Sequence, residues 1–304
     1  MPELRVGLAT ADTTRPVEER RRDLAAMADA GIDHLFMADH VSFHGGAGID
    51  GITHLAAACG VEPRLGLYLG VMLLALRHPV VAARQITELA LAAPGRVTIG
   101  VGVGGEDRHE FEVCGVDPRT RGRRTDAALQ IVRPLLAGER VDWADEFFTL
   151  DGALIRPTVE PIVPVTVGGR SDAALERAGR FGDGWLASWC SPRRFAEGLA
   201  RTEAVGAAHE RRPDWQHGLQ IWVGVGDTYE VGRRHVAGAM EAFYRIPFDA
   251  FEKYTPSGTA DDIAGFLAPY VDAGASVLNL TPCGPSRDDE IATIAEVKRL
   301  LAHS

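Results

Sequence analysis

Apolar runs and amphipathic stretches alternate along this chain with few breaks. The apolar runs are "LRVGLAT" at 4–10, "IDHLFMAD" at 32–39, "RLGLYLGVMLLAL" at 64–76, "RVTIGVGV" at 96–103, "IVPVTVGG" at 162–169, "DGWLASW" at 183–189, "GLQIWVGVG" at 218–226 and "SVLNLT" at 276–281. Near-continuous apolar character is what a parallel strand buried on both faces requires. Between these runs lie stretches with helical spacing. Residues 17–31 carry Leu24, Met27 and Ala28 ahead of a Gly stop, and 50–60, 123–138, 192–209, 231–244, 259–274 and 289–304 also read as helices. Residues 79–93 open with Pro in the first turn, and 171–182 open on Ser171 as N-cap. Pro134 inside 123–138 marks a kink site. Eight strand-helix units in 304 residues predict an α/β fold, a TIM (β/α)8 barrel with insertions, organised as one domain over 1–304. The insertions are 139–161, rich in Pro, Asp and aromatics, and 209–226 with 244–259 around the seventh strand.

A barrel gathers its chemistry at the C-terminal ends of its strands, so residues just after the apolar runs carry the functional reading. After the fourth run, Gly100, Gly102 and Gly105 have G-x-G-x-x-G spacing. A dinucleotide-binding turn opens a helix directly and is followed by an acidic residue at the end of the next strand. Here the polar, weakly periodic "EDRHEF" comes next, and the following strand starts only at residue 162. The Rossmann reading therefore fails. The glycines either make a tight turn or let a flat ligand lie against bare backbone.

Asp39 and His40 end the second strand. They read as a loop cap and a backbone-satisfied His, or as a proton-exchanging pair at the mouth, since His titrates near neutrality. His44 stands four residues on, but no third ligand stands at metal spacing, so no metal is expected. In "VGGRSDAAL", a Gly-Gly turn, an Arg and a Ser stand at a helix start, which suits either a phosphate or a plain cap.

Charge and composition narrow the partners. Net charge is −10 and no basic run exists, which argues against nucleic acid and against an anionic membrane surface. The longest apolar run, 65–76, is too short to span a bilayer. Cys59, Cys114, Cys190 and Cys283 lie far apart without a C-x-x-C pair, so reduced thiols are expected. The opening "MPELRVGLAT" has no apolar signal core, and a cytoplasmic location is expected.

Five segments in order resemble one family: "FMADHV" at the second strand, "LGVMLLALRHPVVAARQ" at the third, "GRVTIGVGVGGEDRHEFEVCGVDPRTRGRRTDAAL" at the fourth, "VPVTVGGRSDAALERAGRFGDGW" at the fifth and sixth, and "GTADDIAGFLAPYVDAGAS" before the eighth. Over nearly the whole chain it resembles the luciferase-like monooxygenase superfamily, in the branch that uses the deazaflavin coenzyme F420. That resemblance implies hydride transfer between F420 and a small organic substrate, carried out by a homodimer. It implies that Asp39 and His40 lie beside the deazaflavin, with His40 as the proton donor. Gly70-Val71 matches the family's non-prolyl cis peptide, whose bulge supports the middle ring; read alone, it is a core strand with a Gly at a bulge. Gly102, Val103, Gly104 and Gly105 would follow the ring and its side chain. Arg108 would reach a cofactor oxygen or phosphate, or else is a solvated loop Arg. The cofactor phosphate would meet Gly168, Gly169, Arg170 and Ser171. On the substrate side stand Trp189, Ser188 and Glu106, while Trp185 reads as core. Sugar-phosphate dehydrogenases of the branch carry a catalytic Glu directly after the glycines. Here Gly105 holds that position and Glu106 comes after it, which speaks against a sugar phosphate. Two alternatives stand beside this reading: a reduced-FMN monooxygenase of the same family, and a non-catalytic flavin or deazaflavin binder. The "ADH" ending of the second strand favours F420.

Overall fold

The continuous apolar runs become parallel strands with both faces covered. In the computed structural model, which describes residues 3–10 and 15–302, these are β1 (Arg5–Ala9), β2 (His34–Met37), β3 (Gly66–Leu73), β4 (Val97–Gly102), β5 (Val165–Gly168), β6 (Gly184–Ala187), β7 (Gly218–Val225) and β8 (Val277–Cys283). Each pairs in parallel with the next, and β8 pairs back to β1, so the sheet closes into the predicted TIM barrel. A short strand, Ser257–Gly258, adds to the C-terminal end of β7.

The amphipathic stretches form the outer layer: α1 (Val17–Asp29), α2 (Gly51–Cys59), α3 (Pro79–Ala92), α4 (Arg108–Val113), α5 (Arg121–Leu136), α6 (Asp172–Phe181), α7 (Pro192–Ala208), α8 (Tyr229–Tyr244), α9 (Ala260–Asp272) and α10 (Arg287–Leu301). Their starts obey the sequence signals. Asp50, Ser171, Ser191 and Ser286 each accept a first-turn backbone N–H, and Thr259 makes a reciprocal capping box with Asp262. Pro134 lies within α5, which runs on to Leu136. The last two residues of the predicted closing helix lie outside the described residues. Strand side chains such as Leu35, Leu69 and Ile99 are fully buried against these helices. Each such side chain is worth about 1.5–3 kcal/mol of transfer free energy. Among the described residues, no helix is long and apolar enough to cross a membrane.

Three elements depart from the predicted pattern. A hairpin of His40–Phe43 against Ala47–Ile49 comes directly after β2. The six-residue α4 stands where the sequence reads as a polar loop. A second hairpin, Val141–Ala144 against Thr149–Ala153, fills the insertion before β5.

The barrel interior holds a polar row. His34 on β2, Gly7 on β1, Asn279 on β8 and Gln220 on β7 are register partners in turn. Gly7 is the reason His34 can cross β1, because a Cβ there would collide with the imidazole. Nε2 of His34 lies 2.7 Å from Oδ1 of Asn279, Nδ2 of Asn279 donates to Oε1 of Gln220 at 3.3 Å, and Nε2 of Gln220 donates to the Gly70 carbonyl at 3.0 Å. Burial pushes the His34 pKa down to about 4, so the ring is neutral and Nε2–H is its donor.

Candidate active site

The C-terminal mouth of the barrel is formed by the segments after β2, β3, β4, β5, β6 and β7, and the site lies there. On β3 the peptide joining Gly70 and Val71 is cis. The pairing of β3 with β4 shifts register between Leu69 and Met72. Within that shift Val71 leaves the regular strand and turns towards its neighbours on β4 and β5. A Cβ on Gly102 would collide with its Cγ2, and one on Gly168 would sit 3.1 Å from its Cγ1. These glycines make room for Val71. Their bare Cα atoms face that side chain. Gly104 and Gly105 continue the turn at φ values of 60° and 128°, and Val103 and Gly104 are partly exposed at the mouth.

Asp39 and His40 point in different directions. The Asp39 carboxylate is 1% exposed. It accepts the N–H of Gly51 at 3.0 Å and of Leu73 at 3.2 Å, and it pairs with Arg77 at 2.6 Å. In the carboxylate expected beside the cofactor, the strong acceptor directions are thus taken by the protein. Asp39 ties β2 to the end of β3 and the start of α2. Arg77, which also reaches Asp50 at 2.9 Å, is held above the usual guanidinium range; burial opposes this, and the carboxylates of Asp39 and Asp50 outweigh it.

His40 turns the other way. Its Nδ1 lies 3.1 Å from Oε2 of Glu110, a residue of α4 that is 2% exposed. The same carboxylate accepts the N–H of Val41 at 2.6 Å and of Ser42 at 3.3 Å. An ionised carboxylate only accepts, so Nδ1–H of His40 is the donor and Nε2 is left bare in the neutral ring. Asp107, which caps α4, also accepts the N–H of His44 at 2.7 Å and docks the hairpin on α4. Nε2 of His44 is buried with no hydrogen-bond partner among the described residues.

Aromatic rings line the mouth beside His40. Phe43 lies 4.2 Å from the imidazole and Phe243, at the end of α8, lies 5.1 Å from Phe43. Trp222 and Tyr244 lie 5.8 Å and 4.9 Å from Phe243, and Trp189 stands 5.2 Å from Tyr244. Nε1 of Trp222 donates to the Tyr244 hydroxyl at 3.1 Å. Burial holds the Tyr244 phenol above the ordinary tyrosine range, and the nearby Glu106 carboxylate pushes the same way.

On the far side, Trp185 is core, as expected, stacking on Phe195 and donating Nε1–H to the Gly169 carbonyl at 2.7 Å. Arg170 is exposed; its guanidinium lies 5.2 Å over the Trp189 ring and has no carboxylate partner among the described residues. The Ser171 hydroxyl caps α6 through the N–H of Ala174. Ser188 is partly exposed beside Trp189, while Glu106 and Arg108 are exposed on the turn into α4. A cavity of about 600 Å³ lies at the C-terminal ends of β1 and β8, between α1, α2 and the start of α10, where His54, Arg20 and Arg287 line it. Among the described residues, no three His, Cys, Asp or Glu side chains group as metal ligands.

The structure thus brings His40, Val71, Gly102, Gly168, Arg170 and Trp189 to one mouth and turns the Asp39 carboxylate away from it. Sequence reasoning missed Glu110, Phe43, Trp222, Phe243 and Tyr244. The Asp cap at Asp107 and the apolar Phe111 were the available signal for α4.

A family model described as luciferase-like monooxygenase matches residues 5–275. An uncharacterised protein of Mycobacterium tuberculosis (strain ATCC 25618 / H37Rv) is 30% identical over 217 residues, 71% of this chain and 67% of that protein. An F420-dependent glucose-6-phosphate dehydrogenase of Beutenbergia cavernae is 33% identical over 202 residues, 63% of this chain and 60% of that enzyme. Among solved structures, an F420-dependent secondary alcohol dehydrogenase in complex with an F420-acetone adduct superposes with a TM-score of 0.86 at 19% identity, covering 98% of this chain and 99% of the other. The monooxygenase RslO1 from Streptomyces bottropensis superposes with a TM-score of 0.78 at 20% identity, covering 99% and 98%. At these identities the two superpositions speak for the fold.

Proposed function

This chain belongs to the luciferase-like monooxygenase family, and on that premise we propose that it is an oxidoreductase that uses coenzyme F420 to exchange a hydride with a small organic substrate. The observation that carries the reading is His40 at the barrel mouth, its Nδ1 held by buried Glu110 and its Nε2 without a hydrogen-bond partner among the described residues. An F420-dependent relative at 33% identity supports the choice of cofactor. The residues fit such a group. Among the described residues, Arg170 has no carboxylate partner and Nε2 of His44 is buried with no hydrogen-bond partner, and Val71 turns from β3 towards the glycines of β4 and β5 at the mouth.

A bound deazaflavin supplies hydride exchange. The rest falls to this chain. Nε2 of His40 takes the substrate's hydroxyl proton in oxidation or returns it in reduction. Glu110 keeps the imidazole in one tautomer and offsets the charge when the ring is protonated. Val71 props the ring system, Gly169 to Ser171 with Arg170 hold its phosphate, and the hairpin after β2 shields the mouth from water. A homodimer in the cytoplasm, folded as a single domain, belongs to the same proposal.

The test is an absorbance titration of the purified protein with F420 and, in parallel, with FMN. F420 is expected to bind in preference to FMN. Preference for FMN would turn the assignment to the monooxygenase branch, and no binding of either would end the oxidoreductase reading.

A further inference from the structure

The side of the mouth next to His40 is made of rings from three separate elements. Phe43 comes from the hairpin after β2, Trp222 from β7, and Phe243 and Tyr244 from the last turn of α8. Their polar atoms are turned on one another: the Trp222 indole N–H is spent on the Tyr244 hydroxyl, and burial keeps that phenol neutral. Arg245, the residue after α8, donates to the carbonyl of His44 and so latches the rim of α8 to the hairpin. The charge that acts on Tyr244 is the Glu106 carboxylate, which repels an anion. Of the cations beside the rings, Arg245 is spent on the His44 carbonyl and Arg170 is assigned above to the cofactor phosphate.

A sugar phosphate set against such a surface would lose the water around its phosphate and hydroxyls and gain few partners. A flat apolar body gains ring contacts there at no such cost. We propose that the substrate is an uncharged alcohol, or the corresponding carbonyl compound, borne on an aromatic ring, with the ring against the partly exposed Phe243 and Trp222, which buried Phe43 backs, and the oxygen towards Nε2 of His40. This rests on the oxidoreductase reading for its reaction: the alcohol gives its carbinol hydrogen as hydride to oxidised deazaflavin and its hydroxyl proton to His40, leaving a ketone and reduced deazaflavin. The binding preference itself rests on the rings alone.

The experiment is calorimetric titration with acetophenone, acetone and glucose 6-phosphate, on the protein saturated with F420 and on cofactor-free protein. Acetophenone is expected to bind at least ten times more tightly than either competitor in both forms. Phe243→Ala is expected to lower acetophenone affinity about tenfold and to leave acetone unchanged; the wild-type ranking stands as a test should that variant misfold. Glucose 6-phosphate binding as tightly as acetophenone, or acetone matching it, would overturn the inference even if F420 binds. A protein that ignores F420 yet keeps the ranking would overturn only the cofactor reading.

Discussion

Nδ1 of His40 sits 3.1 Å from a carboxylate oxygen of Glu110, and the two residues are 70 positions apart in the chain. The pair links the end of one barrel strand to a short helix reached from the strand two further round. Proton transfer from a positioned side chain typically contributes 10²–10⁴-fold. His40→Ala should lose a factor of that size in single-turnover rate with much less effect on cofactor affinity. Glu110→Gln keeps the shape but cannot balance an imidazolium, and a loss of roughly 10²-fold is expected, again in rate. Equal losses in rate and in cofactor affinity for Glu110→Gln would mean that the residue only holds the hairpin in place.

Asp39 should behave as a structural residue. Removing one partner of a buried ion pair typically costs about 3–5 kcal/mol. Asp39→Ala leaves the N–H groups of Gly51 and Leu73 without their acceptor and Arg77 with Asp50 alone. Denaturant unfolding should show that loss. A variant of wild-type stability that no longer binds cofactor would return the carboxylate to the ligand.

The glycine at the end of β4 can be tested against its neighbour. Gly102→Ala puts a methyl group into Val71, and overpacking of this kind typically costs about 1–3 kcal/mol. Adding Val71→Ala opens the space again. The double variant should be more stable than Gly102→Ala alone in a denaturation cycle. Strictly additive losses would show that the two side chains do not meet.

Stability should fall on acidification before the carboxylates titrate. Burial lowers both His34 and His217 to about 4, against about 6.5 in an unfolded chain. Between these values the unfolded state holds more protons, so stability rises with pH. The contribution is complete above about pH 6.5 and is lost progressively towards pH 4, on the order of 3 kcal/mol for each ring. Urea titrations at several pH values across that window will read the slope; a flat profile would mean that neither ring is held neutral.

Much of the barrel was legible because its signals are local and redundant. The start of α3 follows from Pro79 alone, and β3 from eight consecutive strand residues without a charge. The short elements gave no such signal. Six residues of α4 make fewer than two turns, too few for a period to show, and the hairpin strand His40–Phe43 has an irregular burial pattern. The site depends on those same short pieces. Nothing in "MADH" tells whether an Asp faces a ligand or an Arg 38 residues away, and the ring wall joins positions from 43 to 244 that only the closed barrel brings together. The spacing of the glycines marks them as special, but the neighbour that requires them, Val71, lies on another strand.

The row from His34 through Asn279 and Gln220 to Gly70 spans contacts 245, 59 and 150 residues apart in the chain. Two of its three links, His34 to Asn279 and Gln220 to Gly70, cannot form until β8 lies against β1 and β7 stands across the barrel from β3. A sheet that collapsed short of closure would trap these amide and imidazole groups in an apolar interior with nothing to bond. The row therefore acts as a check on completeness: the nearly finished ring is penalised, and only the sealed one is rewarded.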